Sequence, residues 1–164
     1  MFRFSIFYFM NMIILYIIFS YQEVINFQEL YTETLNPIAT FFINKIGIEA
    51  MQSGINIILP TSILKVLFGC NGLEAILIFI AAVLAYKADL SYKLNYLLQG
   101  IFLISVINIF RLVLLAYVIE IHSKYFHLMH DYVTQHIMVF LAILLFFIFV
   151  SNVKQQTKEK HEVL

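Results

Sequence analysis

Apolar residues gather along the chain in four long runs, Phe4–Tyr21, Leu73–Tyr86, Tyr96–Ile119 and Tyr132–Val150, parted by polar stretches. Crossing the hydrocarbon core of a bilayer takes about 20 mainly apolar residues. Each run approaches that length, so the pattern predicts an all-α integral membrane fold with about four transmembrane helices. The second run is short and crosses only if Cys70 and Asn71 stand at its very edge. The first follows Met1-Phe2-Arg3 and ends at bulky Ser20-Tyr21-Gln22, with no small-residue cleavage site. It therefore reads as an uncleaved anchor rather than a removable signal peptide.

Between the first two runs the pattern changes. Pro37–Ile46 follows Asn36, a residue suited to cap a helix, and places Pro at the first helical position. It is too short to span and predicts an amphipathic helix lying on the membrane surface. Ile48–Leu59 is rich in β-branched residues and broken by Ser53-Gly54, which predicts a small β-hairpin. Residues 1–153 thus form one polytopic membrane domain with no internal repeat, and 154–164 a polar, frayed cytoplasmic tail.

Composition agrees with a membrane class. The 164 residues are 62% hydrophobic and 12% charged, with mean hydropathy +0.91, against roughly 45–50% and about 25% for soluble domains. A formal net charge of zero argues against a nucleic-acid partner. Basic residues near the span ends set orientation. Arg3, Lys87, Lys93, Lys154, Lys158 and Lys160 mark the cytoplasmic side, and the Gln22–Gly69 stretch and the Glu120–Asp131 loop lie outside.

That topology brings three residues to one surface. Cys70 stands at the outer mouth of the second run, Arg111 in the outer half of the third, about 13 Å below Glu120 at 1.5 Å per residue, and His130 at the start of the fourth. An arginine in a membrane helix costs at least ~2.5 kcal/mol near the centre and usually faces the bundle interior or a wet cavity. Arg111 either works there, or snorkels to the headgroups, or pairs with Glu120 or Glu74. Asn108, one turn earlier on the same face, could hold its guanidinium. Cys70 is the chain's one cysteine, so no intramolecular disulfide forms. It either packs as a small hydrophobe or reacts, with a nearby Arg and a helix N-terminus favouring the thiolate. Gly69 and Gly72 suit a site where backbone approaches a ligand closely. Cysteine, histidine and arginine together make an acyl-transfer set of nucleophile, acid/base and cation for a developing oxyanion. The rival reading is a non-enzymatic membrane subunit that binds haem or metal through His122, His127, His130 and His136. No recognisable zinc set completes that pattern.

"CNGLEA" from Cys70, "NIFR" ending in Arg111 and "HDYVTQ" from His130 resemble the three motifs of the exosortase/archaeosortase family. Asn71 stands where members usually carry a small hydroxyl residue, and Glu74 where a small or hydroxylic one is expected. The resemblance implies a compact cysteine transpeptidase or protease with catalytic Cys70, Arg111 and His130, His127 being the fallback, and supporting Asn108, Gly69, Gly72, Asn71 and Glu74. It implies no cofactor. Substrates would be exported proteins with a C-terminal signal of motif, transmembrane helix and basic cluster, cut at the outer membrane–water interface and passed to an amine acceptor. The expected location is a bacterial inner membrane, multi-pass, active site facing the periplasm or exterior.

Overall fold

The computed structural model describes residues 2–19 and 22–162. The Ser20-Tyr21 junction, where the anchor reading sought a cleavage site, and the last two residues of the tail lie outside the described residues. In chain order the elements are α1 (Phe2–Phe19), α2 (Gln22–Lys45), β1 (Met51–Ser53), β2 (Asn56–Ile58), β3 (Ile63–Lys65), α3 (Leu73–Ala85), α4 (Leu90–Ile121), a 3-10 turn (Ser123–Tyr125), a π-helical turn (Leu128–Thr134) and α5 (Gln135–Glu162).

The four-span expectation is corrected. Among the described residues two helical stretches, Leu90–Ile121 and Leu128–Gln156, are long and apolar enough to cross a bilayer; Arg3–Ile18 and Leu73–Ala85 are shorter apolar helices. The 13 residues of α3 extend about 20 Å at 1.5 Å per residue, short of the ~30 Å hydrocarbon core. The two long helices support association with a membrane. Helix α3 instead packs among α1, α4 and α5, with Leu73, Ile76, Phe79 and Val83 buried on one face and Ala75, Leu77, Ala81 and Ala82 buried on the others. A helix apolar all round is one that neighbours surround. Gly100 of α4 makes room for it, since a Cβ there would lie 2.1 Å from the Phe79 ring.

Two further expectations change. The surface helix beginning at Pro37 is part of α2, a continuous 24-residue helix with Pro37 in its interior. Pro37 has no N–H to offer the Glu33 carbonyl, yet the helix runs on because one face is buried. Thr32, Leu35, Asn36, Ala39, Thr40 and Ile43 recur at helical spacing and are all buried, and α2 packs along α4. Half of that stripe is polar, so hydropathy alone did not display it. The expected hairpin is a three-stranded antiparallel sheet in the order β1-β2-β3, with Ser53 opposite Asn56 and Ile57 opposite Leu64. The third strand escaped notice because three residues after Pro60 hold too little pattern to read. The polar tail is not frayed over its described part: α5 continues to Glu162.

Side chains tie the sheet to the helices. Asn44 accepts from the Ala50 N–H at 2.9 Å and donates to its carbonyl at 3.0 Å, so β1 leaves α2 at a set angle. Glu120, near the end of α4, accepts from the Thr61 N–H at 2.8 Å and the Ser62 hydroxyl at 3.0 Å. Two apolar cores result. One gathers α2, the sheet and the later half of α4 around Ile43, Ile57, Val66 and Leu112; Cys70 belongs to it. The other gathers α3, α4 and α5 around Phe79, Ile104 and Phe149. The segment from Val66 to Leu73 runs from one core to the other.

Candidate active site

That connecting segment is shaped by its glycines. The Cys70 N–H donates to the Leu67 carbonyl at 2.9 Å, closing a turn whose third residue, Gly69, has φ 87°. Such a turn needs a left-handed residue there, which glycine adopts without steric cost. Gly72, with φ 81°, turns the chain again into α3. A Cβ on Gly72 would lie 2.8 Å from the Asn108 side chain, so α4 approaches this turn against bare backbone. Between them Asn71 is wholly buried. Its carbonyl oxygen accepts from the Leu73 N–H at 3.2 Å, and its amide donates to the Thr32 hydroxyl at 3.1 Å. A short hydroxyl side chain at position 71 would not bridge to α2 in this way.

The turn holds Cys70 at 5% exposure, with its Sγ 3.2 Å from Nε2 of His130. The ring of His130 is set from two other directions. Its Nδ1 lies 2.6 Å from Oδ1 of Asp131, and the Phe126 ring stacks on it at 5.5 Å between centroids and 25° between planes. His127, the fallback, is 88% exposed and its Nδ1 lies 3.6 Å from Oδ2 of Asp131. His122 contacts the rings of Tyr117 and Tyr125, and His136 bonds the Tyr132 carbonyl. Among the described residues no group of three or more His, Cys, Asp or Glu side chains is arranged to hold a metal ion.

Arg111 is 5% exposed and reaches three segments. Its Nη1 donates to the carbonyls of Gly69 at 3.2 Å and Cys70 at 3.5 Å, its Nε to Thr134 Oγ1 at 2.9 Å and its Nη2 to Gln135 Oε1 at 3.1 Å. Gln135 in turn donates to Glu74 Oε2 at 2.6 Å. The fork geometry of guanidinium suits such a multi-point brace. Neither bland reading of Arg111 describes it. It is buried, Glu120 is taken by the β2–β3 connection, and Glu74, whose charge it feels, is joined to it by hydrogen bonds through Gln135. Nor is it held by Asn108, whose side chain is buried with neither amide atom hydrogen-bonded and packs against Gly72.

The thiol's electrostatics differ from the sequence expectation. Burial pushes the Cys70 thiol above its ordinary pKa, and the Arg111 charge offsets this only in part. Burial removes the water that would solvate a thiolate. Burial thus disfavours the thiolate, and the His130 ring lies in contact with the sulfur.

Three residues to which the sequence assigns no role join the site: Asp131, Thr134 and Gln135. Asp131 follows His130 directly, and neighbours on a regular helix diverge; only the wider π turn brings them together. Gln135 closes the HDYVTQ motif with no role attached to it, and Thr134 lies about one turn after His130. Beside the turn, Glu29, Thr32, Val66, Phe68 and Asn71 help line a cavity of about 340 Å³.

A family model described as transmembrane exosortase (Exosortase_EpsH) matches residues 1–149. No curated protein and no solved structure matches the chain.

Proposed function

Because the chain belongs to the transmembrane exosortase family, we propose that it is a cysteine transpeptidase that cuts C-terminal sorting signals from exported proteins. Family membership supports a protein-sorting, transpeptidase-type role, and a single buried cysteine is consistent with a cysteine-dependent enzyme. The observation that carries the finer reading is the 3.2 Å approach of Cys70 Sγ to His130 Nε2, within the reach a nucleophile and its base require.

In this reading His130 Nε2 takes the thiol proton as the Cys70 sulfur bonds to the substrate carbonyl carbon, giving a tetrahedral oxyanion. The C–N bond then breaks, and the same proton passes from Nε2 to the leaving amine, which departs with the substrate's membrane helix and basic cluster. A thioester to Cys70 remains. An acceptor amine attacks it, gives a proton to His130, and the thiolate leaves and recovers its proton from the imidazolium. Water in place of the amine gives hydrolysis. Arg111 keeps the turn in place through the Gly69 and Cys70 carbonyls, and its charge favours both thiolate and oxyanion.

The membrane would supply recognition. A substrate held by its own helix meets the enzyme in two dimensions at high effective concentration. A bacterial inner membrane is what the family resemblance implies, and the basic residues at Lys87, Lys93 and Lys154 support an orientation with the Cys70 turn facing outward. The haem- or metal-binding alternative has no observation in its favour.

The test is co-expression with an exported protein bearing such a tail, read by intact mass. Wild type removes the tail just before the substrate helix and Cys70→Ala does not; added mass identifies the acceptor. Identical uncut substrate in both, across several tails, overturns the reading.

A further inference from the structure

The Cys70–His130 pair has a third member, Asp131, which the HDYVTQ motif carries without assigning it a role. A neutral imidazole can serve as a base at Nε2 only if its proton sits on Nδ1, and the tautomer is set by what Nδ1 meets. Here Nδ1 meets a carboxylate oxygen at 2.6 Å, an acceptor that holds no proton when ionised. The local fold is organised to make that contact. Leu128–Thr134 is a π-helical turn, a rare form concentrated at functional sites. Within it the side chains of residues 130 and 131 meet, and Phe126 stacks on one face of the His130 ring.

We propose that Asp131 is a positioning residue: its carboxylate fixes His130 in the Nδ1–H tautomer, aims Nε2 at Cys70 Sγ and stabilises the imidazolium formed when the thiol gives up its proton. The proton moves from sulfur to Nε2 and no proton moves to Asp131. The titratable or charged groups around this unit are the Cys70 thiol and, on the π turn, His127 at the far carboxylate oxygen. Arg111 from α4 faces the cysteine turn, and Glu74 from α3 joins through Gln135. The assignment rests on the catalytic reading of Cys70 and His130 but is tested without a substrate, because the chain's one cysteine makes alkylation a direct report on that sulfur.

The experiment is iodoacetamide alkylation of the full chain in detergent micelles, followed by intact mass, for wild type, Asp131→Asn and Asp131→Glu. An Asn amide offers an N–H to Nδ1 and so favours the opposite tautomer, with its proton directed at the sulfur. The Asn variant is expected to alkylate roughly tenfold or more slowly at pH 7, with any tail-cleavage kcat falling by roughly 10²–10⁴ and KM little changed. The Glu variant keeps a carboxylate and recovers much of the loss. A structural role predicts the reverse sign, since a loosened turn exposes the thiol and speeds alkylation. An unchanged or faster rate in Asp131→Asn, or a Glu variant that alkylates no faster than the Asn one, overturns the assignment. A chain whose alkylation follows Asp131 but which cuts no tail keeps it and sinks the peptidase reading instead.

Discussion

Cys70 Sγ and His130 Nε2, 60 residues apart in the chain, lie 3.2 Å from each other. The contact joins the turn before α3, which carries the thiol, to the turn before α5, which carries the imidazole. Removing either partner is expected to lower tail cleavage by at least about 10³-fold, and the Cys70→Ala/His130→Ala double variant to be no worse than the weaker single one, because groups acting as a unit are not additive. Intact-mass time courses of a co-expressed substrate check this. Independent, multiplying losses would mean that the two do not act together.

Arg111 is a brace as much as a charge. Arg111→Lys retains the charge but offers one point where the guanidinium offers a fork, so it is expected to behave more like Arg111→Ala than like wild type. Losing the fork leaves the Gly69 and Cys70 carbonyls without this donor, at a cost of about 1–3 kcal/mol for each buried acceptor left unpaired. Thermal unfolding in detergent reads the stability and substrate mass reads the activity. A Lys variant with wild-type stability and rate would reduce Arg111 to its charge.

The raised pKa of Cys70 has a defined sign. A thiol held above its unfolded value contributes stability fully present below the unfolded pKa, and that contribution is lost as pH rises through the folded one. Iodoacetamide reactivity of the folded chain is therefore expected to go on climbing at alkaline pH where the denatured chain has levelled off. Parallel pH profiles of folded and SDS-denatured protein test it. A folded profile that levels off first would show that Arg111 outweighs burial.

Gly72 and Asn108 make a steric pair. Gly72→Ala meets Asn108 at 2.8 Å in addition to its φ of 81°, a combination expected to destabilise by about 2–4 kcal/mol. Asn108→Ala removes two amide atoms that have no hydrogen-bond partner, so by itself it is expected to cost under about 1 kcal/mol. Combined with Gly72→Ala it should relieve the part of the clash made by the Asn108 Cγ and Oδ1, leaving its Cβ at 3.0 Å and the backbone strain. A double-mutant cycle on unfolding temperature measures the coupling; additive losses would mean the two positions do not meet.

Much of this was legible before any coordinates. The apolar runs announced a membrane protein, and three short motifs named Cys70, Arg111 and His130, because hydropathy and reactive residue types are properties of single positions. The misreadings share a cause. Helix α3 looked like a span because an apolar run reads alike whether lipid or protein surrounds it. Helix α2 looked broken at Pro37 because Thr32, Asn36 and Thr40, which help bury its face, are polar. The sheet's third strand is too short to carry a period.

Residue types and their order along the chain say which atoms could react and that they belong in a membrane setting. Only the tertiary structure decided which histidine faces the thiol, that Arg111 braces the turn, and that Asp131 closes on His130. Those are relations between side chains 20 to 60 positions apart, or between neighbours that a regular helix would turn away from each other. They arise from packing around Gly69, Gly72 and the π turn, where a few ångströms, and not residue type, set the chemistry.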